Sequence, residues 1–282
     1  MRILVITPAK NESAYIAGLI DSMLNQRLRP TKWIIVDDGS TDGMTEIVQQ
    51  AAEANDFIEL VQKNNHGEER TGGSKVVRAF NTGYEKFKHI EHDVVVKLDG
   101  DLTLPTDYFE CIVQAFNENP ELGLCGGYCV VPDGSDWIRE ANAPHHVRGA
   151  LKAYRKDCFD SIGGLTETWN WDGIDTMQIM HAGWHIRVIE KEVKHHRPTS
   201  AAYDPISHAF KSGREAYRTG NDLGITLIRS ILKLKSGPAP QCTLKYLQGY
   251  LKAAISREPK VVDRELQTFI RRFAYKRVLK LQ

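Results

Sequence analysis

The chain has 282 residues, 41% hydrophobic and 26% charged, ordinary for a globular protein with a sizeable core and outside the range of disordered or low-complexity chains. Its net charge of +1 hides an asymmetry: residues 205–282 hold 16 Lys/Arg against 5 Asp/Glu, leaving 21 against 31 in residues 1–204. No stretch reaches the ~18 apolar residues of a spanning helix, the opening MRILVITPAKNE lacks a signal-peptide core, and five scattered cysteines form neither a disulfide framework nor a zinc site.

In chain order, residues 3–6 (ILVI), 33–36 (WIIV), 57–61 (FIELV) and 93–98 (DVVVKL) are short β-branched runs that predict strands. Helical spacing fills Ser13 to Gln26, Thr41 to Asn55 and Ser74 to Lys88. Continuous apolar strands alternating with helices predict an α/β fold whose mostly parallel sheet is covered on both faces. Ligands bind such sheets at the carboxyl ends of the strands, where this chain carries TPAKNE, DDGSTD and DGD. A helix from about Thr106 to Asn117, with Thr106 as its cap, leads to a strand-like LGLCGGYCVV and a loop at PDGSDW. There follow an expected helix ALKAYRKDCF, a Gly163-Gly164 turn, a helix near Ile174 to His181 and a strand HIRVIEKEV. Residues 206–282 read as helices punctuated by Pro238, Pro240 and Pro259. The expected division is 1–204, with halves 1–101 and 102–204, and a basic helical region 205–282.

TPAKNE has neither the GxGxxG of a dinucleotide site nor the GxxxxGK[ST] of a P-loop, which counts against a dehydrogenase or NTPase. Asn11 or Ser13 can cap the following helix, and Thr41 the next one. A carboxylate in VDDGSTD would lie at the sheet edge, placed to accept a hydrogen bond from a nucleobase. Residues 99–110 fit part of a calcium-loop template, but Leu104 stands where that loop needs Gly, Pro105 follows it, and a strand rather than a helix leads in. Asp99 and Asp101 instead read as strand-end oxygen ligands for Mg²⁺ or Mn²⁺, an ion that takes its remaining ligands from water and substrate phosphates.

The order and spacing of TPAKNE, VDDGSTD, GGSKVVRAFNTG and LDGD resemble glycosyltransferase family 2, with a GT-A fold, over roughly residues 1–200. The resemblance implies an inverting, metal-dependent transfer of one sugar from a nucleotide-sugar donor (UDP-, GDP- or dTDP-linked) to a glycan or lipid-linked acceptor, in surface polysaccharide or glycolipid synthesis. It places Thr7, Pro8, Ala9, Asn11, Glu12, Asp38, Gly73, Lys75 and Asp99 around the nucleotide. Asp99, Asp101 and His196, with His195 as the alternative, would hold Mn²⁺ or Mg²⁺. In WNWDGIDTMQIMHAGW the family's catalytic aspartate falls on Asp172, with Asp175 the alternative; Trp171 and Gln178 stand where the family has Glu and Arg. The Gln-x-x-Arg-Trp motif and spanning helices of processive synthases are not found, which favours transfer of a single sugar.

The basic region is expected either to pack as helices with a solvated face or to touch a membrane, giving a cytoplasmic protein peripheral on the inner face of the membrane; no nucleic-acid motif is present. A sugar nucleotidyltransferase and a non-catalytic nucleotide-sugar binder are the alternatives.

Overall fold

The computed structural model describes residues 1–63, 73–141, 143, 145–197, 204–236 and 240–279. The chain divides into two compact units, Met1–Pro198 and Thr199–Gln282.

The first unit begins with β1 (Ile3–Ala9), α1 (Ser13–Leu24), β2 (Lys32–Asp37), α2 (Met44–Ala54), β3 (Ile58–Gln62), α3 (Ser74–Phe87) and β4 (Val94–Leu98). Residues Ile3 to Thr7 of β1 and all five of β4 are buried, as strands covered on both faces must be. β5 (Leu102–Thr103), α4 (Tyr108–Glu118), β6 (Leu122–Asp133), β7 (Asp136–Arg139), β8 (Leu151–Arg155), α5 (Lys156–Ser161), α6 (Trp171–His181) and β9 (His185–His195) complete it. The sheet runs β3-β2-β1-β4-β8-β6-β9-β5, with β7 paired to β6. β3, β2, β1 and β4 are mutually parallel, whereas β8 lies antiparallel between β4 and β6, so the α/β sheet is mixed beyond β4. From β1 the chain builds outward to β2 and β3, then crosses back to place β4 on the other side. That reversal opens a crevice at the carboxyl ends of β1 and β4.

Two local expectations change. ALKAYRKDCF was read as one helix, but its first half is β8, because pairing with β4 (Lys97 opposite Lys152) overrides the helix preference of Leu, Lys and Ala. α4 starts at Tyr108 rather than Thr106; Asp107 holds the cap position, yet its carboxylate accepts from Lys191 at 2.6 Å and leaves the helix end without a side-chain cap. All five cysteines are free thiols, with Cys125 and Cys129 both buried.

The second unit is helical: α7 (Pro205–Arg218), α8 (Leu223–Ser236), α9 (Pro240–Ile255) and α10 (Arg264–Leu279). Asp204 caps α7 by accepting from the Ser207 N–H at 2.8 Å. α7 and α9 approach almost backbone to backbone at Gly213 and Gly249, where an added Cβ would lie 1.8 Å from the Tyr246 carbonyl oxygen and 2.1 Å from that of Phe210. Among the described residues no helix is long and apolar enough to cross a membrane.

Candidate functional site

The loops after β1 and β2 are tied together. Asn11, in left-handed backbone conformation (φ 54°), accepts from the Thr41 N–H at 2.9 Å and donates its own N–H to the Ser40 hydroxyl at 2.9 Å. Asp42 accepts from the Ser13 N–H at 2.8 Å, so the start of α1 is capped from the second loop, not by Asn11 or Ser13. Of the aspartate pair, Asp37 holds the turn, accepting from the Ser40 N–H at 2.8 Å and the Thr45 hydroxyl at 2.6 Å. Asp38 lies at the sheet edge, 3.0 Å from the Lys63 ammonium, and its carbonyl accepts from Lys10 at 2.8 Å. The Thr7 hydroxyl accepts from the Trp33 indole at 2.9 Å and serves the core; Pro8 is half-buried and Ala9 buried.

At the end of β4 the acids converge. Asp99, Asp101 and His195 bring ligand atoms within 4.8 Å of one another. Asp101 is buried, with one oxygen 3.5 Å from His195 Nε2 and the other accepting from Arg197 Nε at 2.8 Å. Burial works against its charge, but His195 and Arg197 outweigh burial and hold its carboxyl well below the usual range. The Arg197 guanidinium also pairs with both oxygens of Glu12, at 2.6 Å to Oε1. Glu12, expected against the nucleoside, is therefore buried and committed to Arg197.

His196 does not join this cluster. One residue past the end of β9, His196 instead meets the Thr103 hydroxyl at 2.8 Å and stacks on Tyr15 with centroids 5.5 Å apart. The preference for His196 over His195 is thus reversed by placement. His195 is buried, and its Nδ1 has no hydrogen-bond partner, a costly state for a ring nitrogen away from water. Two carboxylates and an imidazole form a donor set that suits Mn²⁺, and a buried, unpaired ring nitrogen in that set fits a metal-binding role.

The two candidate bases separate sharply. Asp175 is fully buried, gripped by Lys152 at 2.6 and 2.8 Å and by the Tyr154 hydroxyl. Burial pushes its carboxyl up despite those partners. Asp175, the alternative base, is thus enclosed and bonded within the core. Asp172 opens α6 with its side chain 34% exposed and one oxygen 3.6 Å from His146 Nε2. Burial raises its carboxyl, but the hydrogen bond from His146 and the charges of Lys152 and Lys97 bring it down to about 2. It is ionised at neutral pH.

The metal cluster and Asp172 share walls. Lys97, buried in β4, donates to Asp99 and, at 2.8 Å, to the Gly149 carbonyl, while the Asp99 N–H donates to the Ala150 carbonyl at 2.8 Å. A Cβ on Gly149 would sit 3.0 Å from the Trp171 ring and 3.3 Å from Asp172 Cβ and Oδ2, so the strip beside Asp172 is tightly packed at this glycine. Trp171 covers both buried ammoniums, 5.3 Å from Lys97 and 5.5 Å from Lys152. Gly73 and Lys75 lie at the start of α3, where Gly73 packs on Trp169 in the loop leading to α6; the glycine-rich segment before Gly73 lies outside the described residues.

Lys97, Arg197 and His146 were not singled out from sequence. Lys97 had a signal, since Lys-x-Asp in an extended chain puts both charges on one face. Arg197 and His146 had none, because their partners come from other elements.

The profile described as Glycosyl transferase family 2 matches residues 4–188. A poly-beta-1,6-N-acetyl-D-glucosamine synthase of Staphylococcus aureus (strain COL) is 29% identical over 117 residues, 42% of this chain and 26% of that protein. The match therefore spans about a quarter of that curated relative. Among solved structures, the mannosyltransferase PcManGT from Pyrobaculum calidifontis in complex with GDP-Man and Mn²⁺ superposes with a TM-score of 0.56 at 16% identity, covering 100% of this chain and 88% of that one. TarS 1-349 of S. aureus in complex with UDP-GlcNAc gives 0.56 at 17% identity, covering 99% and 81%. At these identities the structural likeness is one of fold.

Proposed function

This chain belongs to glycosyl transferase family 2, and on that premise we propose that it moves a sugar from a nucleoside-diphosphate donor to an acceptor hydroxyl, with inversion, in surface polysaccharide or glycolipid synthesis. The observation that carries the reading is the meeting of Asp99, Asp101 and His195 at the crevice between β1 and β4, with the ionised, part-exposed Asp172 next to it across Gly149. The relatives named as polysaccharide synthases, and the neighbours solved with GDP-Man and Mn²⁺ or with UDP-GlcNAc, support donor and metal class.

In this reading Asp38 and the half-buried Pro8 face the nucleoside, and Lys75 at the start of α3 adds positive charge toward the diphosphate. Asp99, Asp101 and His195 would hold Mn²⁺ or Mg²⁺, which as a Lewis acid stabilises the charge of the departing nucleoside diphosphate. Arg197 keeps Asp101 ionised and aimed; Glu12 in turn orients Arg197. Asp172 takes the proton of the acceptor hydroxyl as its oxygen attacks the anomeric carbon from the face opposite the leaving group.

In Asp101→Asn, Mn²⁺ affinity measured by titration in the presence of nucleoside diphosphate is expected to fall at least tenfold, and donor turnover on the order of 10²-fold. Native-like values for both would overturn the metal assignment. Release of pyrophosphate instead of nucleoside diphosphate would identify a nucleotidyltransferase, and donor left intact with Mn²⁺ would identify a binder. Product mass decides between one sugar and many.

Features of the second unit support an acceptor held at a membrane. Leu223, Leu227, Ile231 and Leu234 recur at helical spacing along α8 and are 44–56% exposed; Leu244, Leu251 and Ile255 on α9 are 45–81% exposed. Together with the excess of Lys and Arg after residue 205, they suit an anionic lipid surface, worth about 1 kcal/mol per basic residue near it. The protein is expected to float with anionic vesicles at low salt and to be released by Leu227→Asp with Ile231→Asp. Equal flotation of that variant rejects the contact.

A further inference from the structure

His195 belongs to a second donor set, one that contains a thiol. Val130 of β6 lies opposite Arg139 of β7, and the Glu140 N–H donates to the Cys129 carbonyl at 2.9 Å, so Glu140 stands across from Cys129. On the other edge of β6, Cys129 is in register with Val193 of β9. Val193 and His195 are buried on either side of the exposed Lys194 and so share a face. Cys129 Sγ, a Glu140 carboxylate oxygen and a ring nitrogen of His195 thereby come within 4.8 Å of one another. Cys129 and His195 are buried, while the Glu140 side chain keeps an edge on solvent.

An independent observation comes from the His195 ring. Its Nε2 is the nitrogen on the Asp101 side, 3.5 Å from that carboxylate, whereas Nδ1 is buried with no hydrogen-bond partner. An ion beside Asp101 still leaves Nδ1 unmet, a state that folded proteins rarely keep.

We propose that Cys129, Glu140 and His195 form a site for a thiophilic divalent cation such as Zn²⁺, and that filling it takes His195 away from the Asp99–Asp101 set. A soft thiolate draws Zn²⁺, while the two aspartates suit Mn²⁺ or Mg²⁺. As the metal–sulfur bond forms, the S–H bond breaks and its proton leaves to solvent. Thiolate and carboxylate then set two negative charges against the two of the cation, so the filled site is neutral where burial makes net charge costly. Tetrahedral Zn²⁺, with bonds of about 2.0–2.3 Å, holds its ligand atoms roughly 3.3–3.8 Å apart, and the three atoms need close in by at most about 1.5 Å. Arg148, 3.2 Å from Glu140 Oε2, steadies that carboxylate. A neutral imidazole has one lone pair, whichever nitrogen carries it, so His195 binds one ion at a time. By linkage, Zn²⁺ weakens Mn²⁺ binding by the same factor as Mn²⁺ weakens Zn²⁺. The competition rests on the assignment of Asp99, Asp101 and His195 to Mn²⁺; the thiolate site does not.

The test titrates the metal-free full chain with Co²⁺ as a probe for Zn²⁺. A thiolate-to-cobalt charge-transfer band is expected, removed by added Zn²⁺ and absent in Cys129→Ser and Cys129→Ala. It persists in Cys111→Ser with Cys242→Ser, which removes the two less buried thiols. Glu140→Gln, at a position outside the core, keeps the probe usable if the Cys129 variants fold poorly, and its Zn²⁺ affinity is expected to fall at least about tenfold. In the native chain Zn²⁺ lowers Mn²⁺ affinity, titrated with nucleoside diphosphate present, by at least about tenfold, and in Cys129→Ser it does not. A missing band, or one that persists without Cys129, overturns the site, as does native Zn²⁺ affinity in Glu140→Gln. Equal Mn²⁺ affinity with and without Zn²⁺ overturns the shared ligand. A chain that shows the cobalt band yet binds no Mn²⁺ in the absence of Zn²⁺ upholds the thiolate site and removes the Asp99–Asp101 assignment instead.

Discussion

Asp172→Asn is expected to reduce sugar transfer about 10³-fold, within the ~10²–10⁴ range of a positioned general base, while nucleotide affinity stays unchanged. The substitution preserves the shape of the side chain at the start of α6 and removes its ability to take a proton. Nothing in the nucleotide loops depends on that carboxylate, since Asn11, Ser40, Thr41 and Asp42 hold one another. The native carboxyl is held down at about 2, so the base is in its active, ionised form throughout the neutral range and activity does not wait on its titration. Transfer rate and nucleotide titration on one preparation check the claim. A rate within a fewfold of native rejects Asp172.

Asp175→Asn is expected to act on stability, with a loss of about 3–5 kcal/mol, the cost of stranding one partner of a buried ion pair. Lys152 and Asp175 are both fully buried, so the ammonium left behind is cut off from solvent and loses the carboxylate it bonds directly, keeping the Asp172 carbonyl at 2.7 Å. At about 2–4 °C per kcal/mol for a unit of this size, the unfolding midpoint should fall on the order of 10 °C. Lys152→Met with Asp175→Leu, which removes both charges, should cost less than the single change. Any activity loss in Asp175→Asn should follow its unfolded fraction. An unchanged midpoint with lost transfer would exchange the roles of the two aspartates.

The parallel half was legible in the sequence because it needs little beyond local information. ILVI, WIIV and VVVKL are buried on both faces, so their composition declares them, and the acids that follow fall at the sheet edge by topology. The second half depends on partners. Leu151 to Arg155 has helix-forming residues, and what makes it a strand is the neighbouring β4, which sequence does not show. His195 closes β9 and His196 follows it. A cue was present, since Val193, two residues before His195, is apolar and marks the buried face. The family resemblance already favours Asp172 over Asp175; what the sequence does not show is that Asp175 is bound by Lys152, because residues 151–155 read as helix and not as a strand opposite β4.

The bond from Arg197 to Glu12 joins residues 185 positions apart. Everything acidic in the crevice up to Asp101 is synthesised long before its counter-charge. At ~5–20 residues per second on the ribosome, Glu12 waits roughly 10–40 s and Asp101 roughly 5–20 s for the guanidinium that makes their burial tolerable. The first strands can therefore pair early, while the crevice itself stays open and hydrated until β9 arrives. A chain stopped at residue 188, where the family match ends, would include β1 to β8 yet lack both His195 and Arg197. The order of synthesis thus makes the edge that holds Asp101 and Glu12 the last part of the first unit to gain its counter-charge, once the chain has passed β9.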